Sequence, residues 1–287
     1  MPEARRIATV IGHPIAHSRS PVIHRHWIER YEVTGDYRAV DVGPNDLDAW
    51  LAALDPAETP GGNVTVPHKE AVHRWLGPDR LDGAARATGS VNTLWFEGDA
   101  LRGGSTDGAG LLADLDARAP EWRNAGHALV IGAGGAARAV VHALGEAGLD
   151  VTIANRTVAR AEALAAAFGT RGAVGLHDMG DALRTAGLVV NTASLGMAGT
   201  GDGDGDGGGL RDLPHLDPRA FHAEQIAYDI VYVPLQTPFL RAARAGGATG
   251  VDGLGMLLHQ AVPGFGRWFG VRPEVTPALR ALVEQTL

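Results

Sequence analysis

Lys69 combines a side chain that can transfer a proton with an unfavourable position in the chain. It follows Pro67, which predicts a helix that opens there and contains His68, Lys69 and Glu70. The helix dipole opposes a cation in this first turn. A residue that breaks a local rule hints at function, and a positioned amine can act as a general acid or base. The alternative is an ordinary surface lysine with a solvated head.

Asp107 begins another predicted helix, which reaches about Arg118. A carboxylate in the first turn interacts well with the helix dipole, so capping alone explains it. Ser18 and Ser20 bracket a third helix start, and two hydroxyl groups there are suited to holding a carboxylate. Ser20 before Pro21 also fits a plain N-cap.

The remaining polar residues that could bind a substrate or a metal can also be explained by local structure alone. Asn92 lies near a strand end, where turn asparagines are common, and Thr65 falls in a predicted strand. His13 and His17 are four residues apart, but the proline between them disfavours a single helix face. Asp202, Asp204 and Asp206 imitate the start of a calcium loop whose twelfth position lacks a carboxylate. We therefore expect no metal site.

A glycine turn at residues 132–137, GAGGAA, has the pattern of a dinucleotide-binding site. It follows an apolar run at 128–131, typical of a buried parallel strand, and precedes a helical pattern. Gly132 permits the tight turn, Gly134 lets the backbone approach a pyrophosphate, and Ala137 allows close helix packing. Free N–H groups at the helix N-terminus favour phosphate.

The strand after this helix indicates which nucleotide binds. It ends at Asn155, Arg156 and Thr157, where an NAD site usually carries an acid. The chain has Arg156 instead, with Arg160 one turn later, and guanidinium groups suit a 2′-phosphate. Two solvated surface arginines are the alternative. With the glycine turn, they predict NADP(H).

Strands and helices alternate along the whole chain, which predicts an α/β fold with parallel sheets. Residues 199–209 form a Gly/Asp-rich stretch that we expect to be a mobile loop. The predicted strands cover residues 7–11, 37–42, 63–66, 128–131, 150–154, 173–176, 188–191 and 226–231, with a hairpin at 90–96 and 100–102.

Length and composition limit the classes of protein to which the chain can belong. A length of 287 residues predicts about two domains, and 45% hydrophobic with 20% charged residues is typical of a soluble globular protein. No cysteine is present, which excludes disulfides and thiolate nucleophiles. The net charge of −8 argues against nucleic acid. With neither a signal peptide nor a membrane span in the sequence, we expect a cytoplasmic protein without membrane partners.

Motifs spread over nearly the whole chain resemble the shikimate dehydrogenase family. They are GHPIAHSRSP at 12–21, NVTVPHK at 63–69, GSVNTL at 89–94, STDGAGL at 105–111, GAGGAARA at 132–139, NRTVAR at 155–160, YDIVY at 228–232 and DGLGMLLHQA at 252–261.

The resemblance implies a two-domain fold and a reaction. Residues 1–106 would form an α/β substrate-binding domain, and 107–252 a doubly wound Rossmann domain for NADP(H). The C-terminal helices at 253–287 would return to the substrate domain. Family members reduce 3-dehydroshikimate to shikimate with NADPH, a step towards chorismate and the aromatic amino acids. Alternatives are a quinate/shikimate or aminoshikimate dehydrogenase, or a catalytically silent protein that senses NADP(H).

The resemblance also implies roles for individual residues. Lys69 and Asp107 would be the catalytic pair. The substrate would contact Ser18, Ser20, Thr65, Lys69, Asn92, Asp107, Tyr232 and Gln260. The cofactor would contact Gly132, Ala133, Gly134, Gly135, Ala136, Asn155, Arg156, Thr157, Arg160, Ile230 and Gly253. The only partner we expect is the small-molecule substrate, and the sequence leaves a homodimer open.

Overall fold

The computed structural model describes residues 6–193 and 216–287. The predicted loop at 199–209 and the calcium-loop imitation lie outside these residues. The chain divides into two compact units, one comprising Met1–Asp107 with Leu258–Leu287 and the other Gly108–Leu257.

The first unit contains an α/β layer and the C-terminal helices. Its strands are β1 (Arg6–Gly12), β2 (Gly35–Asp41), β3 (Gly61–Val64), β4 (Thr93–Glu97) and β5 (Ala100–Gly104). Its helices are α1 (Ser20–Arg30), α2 (Leu47–Ala52), α3 (Lys69–Leu76), α4 (Gly83–Thr88) and α11 (Pro277–Glu284). The helices α5 (Asp107–Arg118) and α10 (Leu254–Phe269) each cross a boundary between the units.

The sheet of the first unit is mixed, in the order β2-β1-β3-β4-β5. β1 pairs in parallel with β2 and β3, whereas β3–β4 and β4–β5 are antiparallel. The predicted hairpin is confirmed, and it is the reason why a purely parallel sheet is wrong here. The turn between β4 and β5 is only two residues long, with Gly98 at φ +60°, and so short a turn can only reverse the chain.

Three predicted positions at element ends are wrong. Ser20 is the first residue of α1 rather than its cap, because Arg19 occupies the N-cap position. Helix α3 begins at Lys69, so Pro67 precedes the helix and does not open it. Thr65 follows β3 in the turn that the His68 N–H closes on the Thr65 carbonyl at 2.9 Å. Helix α1 therefore begins one residue earlier than predicted, whereas the turn between β3 and α3 is longer than the local pattern suggested.

The second unit has alternating strands and helices. Its strands are β6 (His127–Ile131), β7 (Asp150–Asn155), β8 (Gly172–Gly175), β9 (Leu188–Asn191), β10 (Ile226–Asp229) and β11 (Thr249–Asp252). Its helices are α6 (Gly135–Glu146), α7 (Val158–Phe168), α8 (Gly180–Thr185) and α9 (Pro238–Ala245), together with most of α5.

All six described strands of the second unit are parallel, in the order β11-β10-β9-β6-β7-β8. Numbered from β6, this is the doubly wound Rossmann order, with the switch point between β6 and β9. Alternate residues of β6 enter opposite apolar clusters, Val130 with α6 and α7, and Leu129 with α8 and α9. A parallel sheet needs such cover on both faces. The predicted two-domain α/β fold is confirmed.

Among the described residues, no helix is long and apolar enough to span a membrane.

Candidate active site

Lys69 and Asp107 form an ion pair, with Lys69 Nζ 2.6 Å from Asp107 Oδ2. Each is the first residue of its helix, α3 or α5, and the side chains are 28% and 17% exposed. The other carboxylate oxygen of Asp107 accepts a hydrogen bond from Asn92 Nδ2 at 2.7 Å. Both oxygens therefore have side-chain donors, and simple helix capping does not explain the residue.

The mixed sheet explains why these residues meet. β3 and β5 both run antiparallel to β4, so the C-terminal ends of β3 and β5 lie at the same edge as the N-terminal end of β4. Lys69 follows β3, Asn92 precedes β4 and Asp107 follows β5. The three side chains therefore emerge at one edge of one sheet.

The turn before Lys69 is fixed by buried contacts. His68 is 1% exposed, and its Nε2 donates a hydrogen bond to the Val42 carbonyl at 2.7 Å. The Lys69 carbonyl accepts from the Val91 N–H at 3.0 Å, next to Asn92. The start of α3 is thereby held against two neighbouring segments, which limits the positions open to the amine.

Asn92 connects the pair to Gln260 of α10. Its Nδ2 lies 3.3 Å from Gln260 Oε1, and its Oδ1 accepts from the Thr106 N–H at 2.8 Å. The Thr106 hydroxyl donates to the Gln260 carbonyl at 2.8 Å. Asn92 is 3% exposed and Gln260 9%. The structure thus brings together Lys69, Asp107, Asn92 and Gln260, and adds Thr106, which the sequence analysis did not select.

Lys69 is also the only lysine among the 25 lysine and arginine residues of the chain. Arginine supplies the positive charge at every other cationic position, but its guanidinium does not release a proton in proteins. A single lysine in such a background indicates a position that requires an amine. This signal is independent of the position of Lys69 in its helix.

Ser18, Ser20 and Thr65 lie at the same edge of the sheet, Ser18 and Thr65 in loops and Ser20 at the start of α1. Thr65 follows β3, and its N–H donates to the Ile11 carbonyl of β1 at 2.9 Å. Ser18 Oγ accepts from the Ser20 N–H at 3.3 Å, and Ser20 is 7% exposed. Among the described residues, no hydrogen bond joins these three side chains directly to the Lys69–Asp107 pair. Their position fits a separate end of a small ligand.

The glycine turn of the second unit fits a pyrophosphate. Gly132 has φ +113°, and a Cβ atom there would lie 2.5 Å from Thr192 Oγ1, so a side chain is excluded. Gly134 is the N-cap of α6 and provides no side-chain cap, and a Cβ atom at Gly134 or Gly135 would meet open space. The first N–H groups of α6 are thus accessible to an anion.

Arg156 and Arg160 fit a 2′-phosphate beside that turn. Both are exposed, and within the described residues neither side chain makes a hydrogen bond or ion pair. Asn155 Nδ2 donates to the Thr157 carbonyl at 3.0 Å, and Thr157 caps α7 without a side-chain bond. The loop after β7 and the first turn of α7 thus present two cations, unpaired among the described residues, and no acid for a ribose hydroxyl.

Ile230, Tyr232 and Gly253 lie beyond β10 and β11 in the second unit. A Cβ atom at position 253 would lie 2.2 Å from the Ile230 carbonyl oxygen, so backbone packing alone requires this glycine. Ile230 and Tyr232 are half-buried. Just before them, burial raises the pKa of Asp229 to about 6, against donors on Thr237, Val231 and Asn191.

Comparison with known families agrees with this architecture. The family model for the shikimate dehydrogenase substrate-binding domain matches residues 10–94. The model for shikimate/quinate 5-dehydrogenase matches 117–196, and that for the shikimate 5′-dehydrogenase C-terminal domain matches 253–283. All three matches follow the chain in the order of the motifs.

Individual relatives align over nearly the full length. A shikimate dehydrogenase (NADP⁺) of Mesorhizobium japonicum is 53% identical over 99% of this chain and 97% of its own. The crystal structure of shikimate 5-dehydrogenase from Thermus thermophilus with NADP(H) and shikimate has a TM-score of 0.81 at 38% identity, covering 99% and 100% of the two chains. Quinate dehydrogenase from Corynebacterium glutamicum with NAD has a TM-score of 0.83 at 28% identity, covering 98% and 99%.

Proposed function

The chain belongs to the shikimate dehydrogenase family, and from that premise we propose that it reduces 3-dehydroshikimate to shikimate with NADPH, reversibly. The observation that carries the proposal is the pair of Lys69 and Asp107, 2.6 Å apart and bonded to Asn92. Reduction of a ketone places negative charge on the carbonyl oxygen, which then takes up a proton. An ammonium group held at that oxygen stabilises the charge and supplies the proton.

Asp107 has two tasks in this mechanism. It holds the Lys69 ammonium by the ion pair, and it accepts a hydrogen bond from a ring hydroxyl of the substrate. Both tasks need an ionised carboxylate that is partly accessible, which agrees with its 17% exposure. In the oxidation direction Lys69 takes the proton from the shikimate hydroxyl, and Asp107 keeps the amine in position.

The other ligands orient the substrate. The hydroxyl groups of Ser18 and Ser20 hold its carboxylate, and the side chains that bind its hydroxyl groups and carbonyl are Thr65, Asn92, Gln260 and Tyr232. Fixing the ring at both ends is what places one carbon for reaction. Charge on the substrate is met by local donors, because the chain carries a net charge of −8.

The second unit holds the cofactor. Gly132 to Ala136 and the N-terminus of α6 bind its pyrophosphate. Residues 155–160, at the end of β7 and the start of α7, bind its 2′-phosphate, and Ile230 with Gly253 lies at its nicotinamide end. When bound, NADPH supplies the hydride. Arg156 and Arg160 determine the choice of cofactor, since their charges are unpaired among the described residues.

Two competing functions are less well supported. A quinate dehydrogenase that uses NAD should carry an acid near position 156, and this chain has Arg156. A catalytically silent sensor of NADP(H) would not need Lys69 and Asp107, and both are present and paired. We further propose that the enzyme works in the cytoplasm and serves aromatic amino-acid biosynthesis, with a homodimer as one assembly open to it.

Steady-state assays of the purified protein test the function. NADPH absorbance would be followed with shikimate, quinate and aminoshikimate, each with NADP⁺ and NAD⁺. We expect the highest kcat/KM with shikimate and NADP⁺. A faster reaction with quinate and NAD⁺ would move the assignment to quinate dehydrogenase, and NADPH binding without turnover of any of these substrates would support the sensor.

A further inference from the structure

Behind Asn92 lies a buried group of polar side chains that the proposed mechanism does not use. Tyr37 and Thr93 are 0% exposed, and Asn63 is 5% exposed. Buried polar groups of this kind are costly unless every member is hydrogen-bonded. Their arrangement therefore reflects a requirement of the fold or of the site in front of them.

The sheet register places these side chains together. Asn63 of β3 pairs with Val10 of β1 on one side and with Thr93 of β4 on the other. Tyr37 of β2 pairs with Ala8, two residues before Val10, so its ring crosses β1 over a small side chain to reach Asn63. The Tyr37 ring is held in place by His24, which stacks on it with a centroid distance of 4.1 Å.

The hydrogen bonds run in one direction, each donor pointing towards the active site. The Tyr37 hydroxyl donates to Asn63 Oδ1 at 2.6 Å, and Asn63 Nδ2 lies 3.3 Å from Thr93 Oγ1. The Thr93 hydroxyl donates to Asn92 Oδ1 at 3.0 Å. Asn92 Nδ2 then donates to Asp107 Oδ1 at 2.7 Å.

The acceptors fix this direction. Asn63 Nδ2 also donates to the Asn92 carbonyl at 3.1 Å, and a carbonyl cannot donate in return, so the Asn63 amide has a single orientation. Burial raises the pKa of Tyr37 well above its usual range, which keeps the phenol protonated as the first donor. The series of hydrogen bonds ends on its one carboxylate, that of Asp107, which also holds Lys69.

We propose that Thr93 is a positioning residue, whose hydroxyl transmits the orientation of the Tyr37–Asn63 pair to Asn92 and so sets the Asp107 carboxylate that holds Lys69. This inference rests on the proposed function for its kinetic consequences only. Thr93 accepts from Asn63 and donates to Asn92, so removal of its hydroxyl breaks the series in the middle. Asn92 would keep its bond from the Thr106 N–H but lose one of the contacts that restrain its amide plane.

The single lysine provides a direct readout. Protein grown with ¹³C,¹⁵N-lysine carries the label only at Lys69, so its side-chain NMR signals report the ion pair without any need for turnover. The variants are Thr93→Val, which removes the hydroxyl at similar volume, and Thr93→Ser, which retains it. Thr88→Val is the matched control, because Thr88 is 2% exposed and its hydroxyl donates to the Ala84 carbonyl at 2.8 Å, within α4.

We expect Thr93→Val to shift the Lys69 signals and to raise KM for shikimate roughly tenfold, with KM for NADP⁺ unchanged. Thr93→Ser and Thr88→Val should resemble the wild type in both measurements. A folded Thr93→Val protein with the wild-type Lys69 signals and the wild-type KM for shikimate would overturn the inference. If the wild-type protein turns over no shikimate and Thr93→Val still shifts the Lys69 signals, the positioning role would be supported and the proposed function overturned.

Discussion

Lys69 and Asp107 are 38 positions apart in the chain, yet Nζ and Oδ2 lie 2.6 Å from each other at the first residues of two helices. A cation at a helix N-terminus is unfavourable and a carboxylate is favourable. The pair therefore places the anion where the helix stabilises it and uses that anion to hold the amine. Loss of Asp107 would leave Lys69 facing an unfavourable dipole without this carboxylate.

Replacement of the amine tests the proton-transfer role. We expect Lys69→Ala to lower kcat on the order of 10²-fold with a smaller change in KM for shikimate, because the proton and charge stabilisation are needed mainly in the transition state. Lys69→Arg should remain nearly as impaired, since a guanidinium keeps the charge but does not transfer the proton. Steady-state kinetics of both variants measure this.

Arg74→Ala is the control for Lys69, because Arg74 is an exposed cation on the same helix. It should leave both constants unchanged. An effect of Lys69→Ala confined to KM would assign the residue to substrate binding alone, and a fully active Lys69→Arg enzyme would exclude proton transfer by this side chain.

Cofactor choice should depend on Arg156. We expect Arg156→Ala to raise KM for NADP⁺ about 10- to 100-fold, the range for loss of a hydrogen bond to a charged group, and to leave KM for NAD⁺ nearly unchanged. Steady-state rates with each nucleotide at saturating shikimate give the two KM values. Arg171→Ala is the matched control, an exposed arginine in the same unit that lies 3.8 Å from Asp150. An equal rise in KM for NADP⁺ and NAD⁺ would contradict the proposed contact between Arg156 and the 2′-phosphate.

Local patterns in the sequence predicted the features that depend on neighbouring residues. The strand, glycine turn and helix around Gly132 form one continuous segment, so their spacing alone defines the turn. The β4–β5 hairpin is likewise determined by two residues at its tip. The family resemblance, confirmed by the comparisons, added the two-domain fold and the reaction class.

Features that depend on sheet order and on distant packing did not follow from local pattern. Asp107 looked like a capping residue, because its contacts with Lys69 and Asn92 exist only once β3, β4 and β5 lie side by side. Gln260 reaches Asn92 across 168 positions of sequence. Tyr37 and Thr93 read as ordinary strand residues, since propensity does not distinguish a packed hydroxyl from a hydrogen-bonded one.

Ionisation of Asp229 should lower the stability of the folded protein as pH rises. Its pKa is raised from 3.8 to about 6 by burial, so the folded state binds a proton that the unfolded state has lost between these pH values. The free energy of unfolding should therefore fall by about 2 kcal/mol from this residue as pH rises from about 4 to 6. Urea unfolding across this range measures it.

Asp229→Asn is the test variant, because its amide oxygen can still accept from the Val231 N–H and Asn191 Nδ2. Relative to the wild type, it should gain stability steadily up to pH 6 and then level off. Asp150→Asn, at an exposed carboxylate, is the control. A constant difference between Asp229→Asn and the wild type over this range would mean that Asp229 is ionised throughout.

His24, in contrast to Asp229, should lower the stability of the folded protein as pH falls. It is 0% exposed within an aromatic group that includes Tyr37, Trp27 and Phe265, and burial lowers its pKa from 6.5 to about 3. The unfolded state therefore binds a proton that the folded state excludes, and stability falls as pH drops through this window, by up to about 5 kcal/mol.

NMR titration of histidine-labelled protein and urea unfolding together test this expectation for His24. Its imidazole should stay neutral down to about pH 4, and His24→Phe should flatten the loss of stability between pH 6.5 and 4, since no group then gains a proton on unfolding at this site. His177→Phe, at an exposed histidine, should leave the slope of the wild type unchanged. A His24 signal that titrates near pH 6 in the folded protein would show that the aromatic group admits the charged ring.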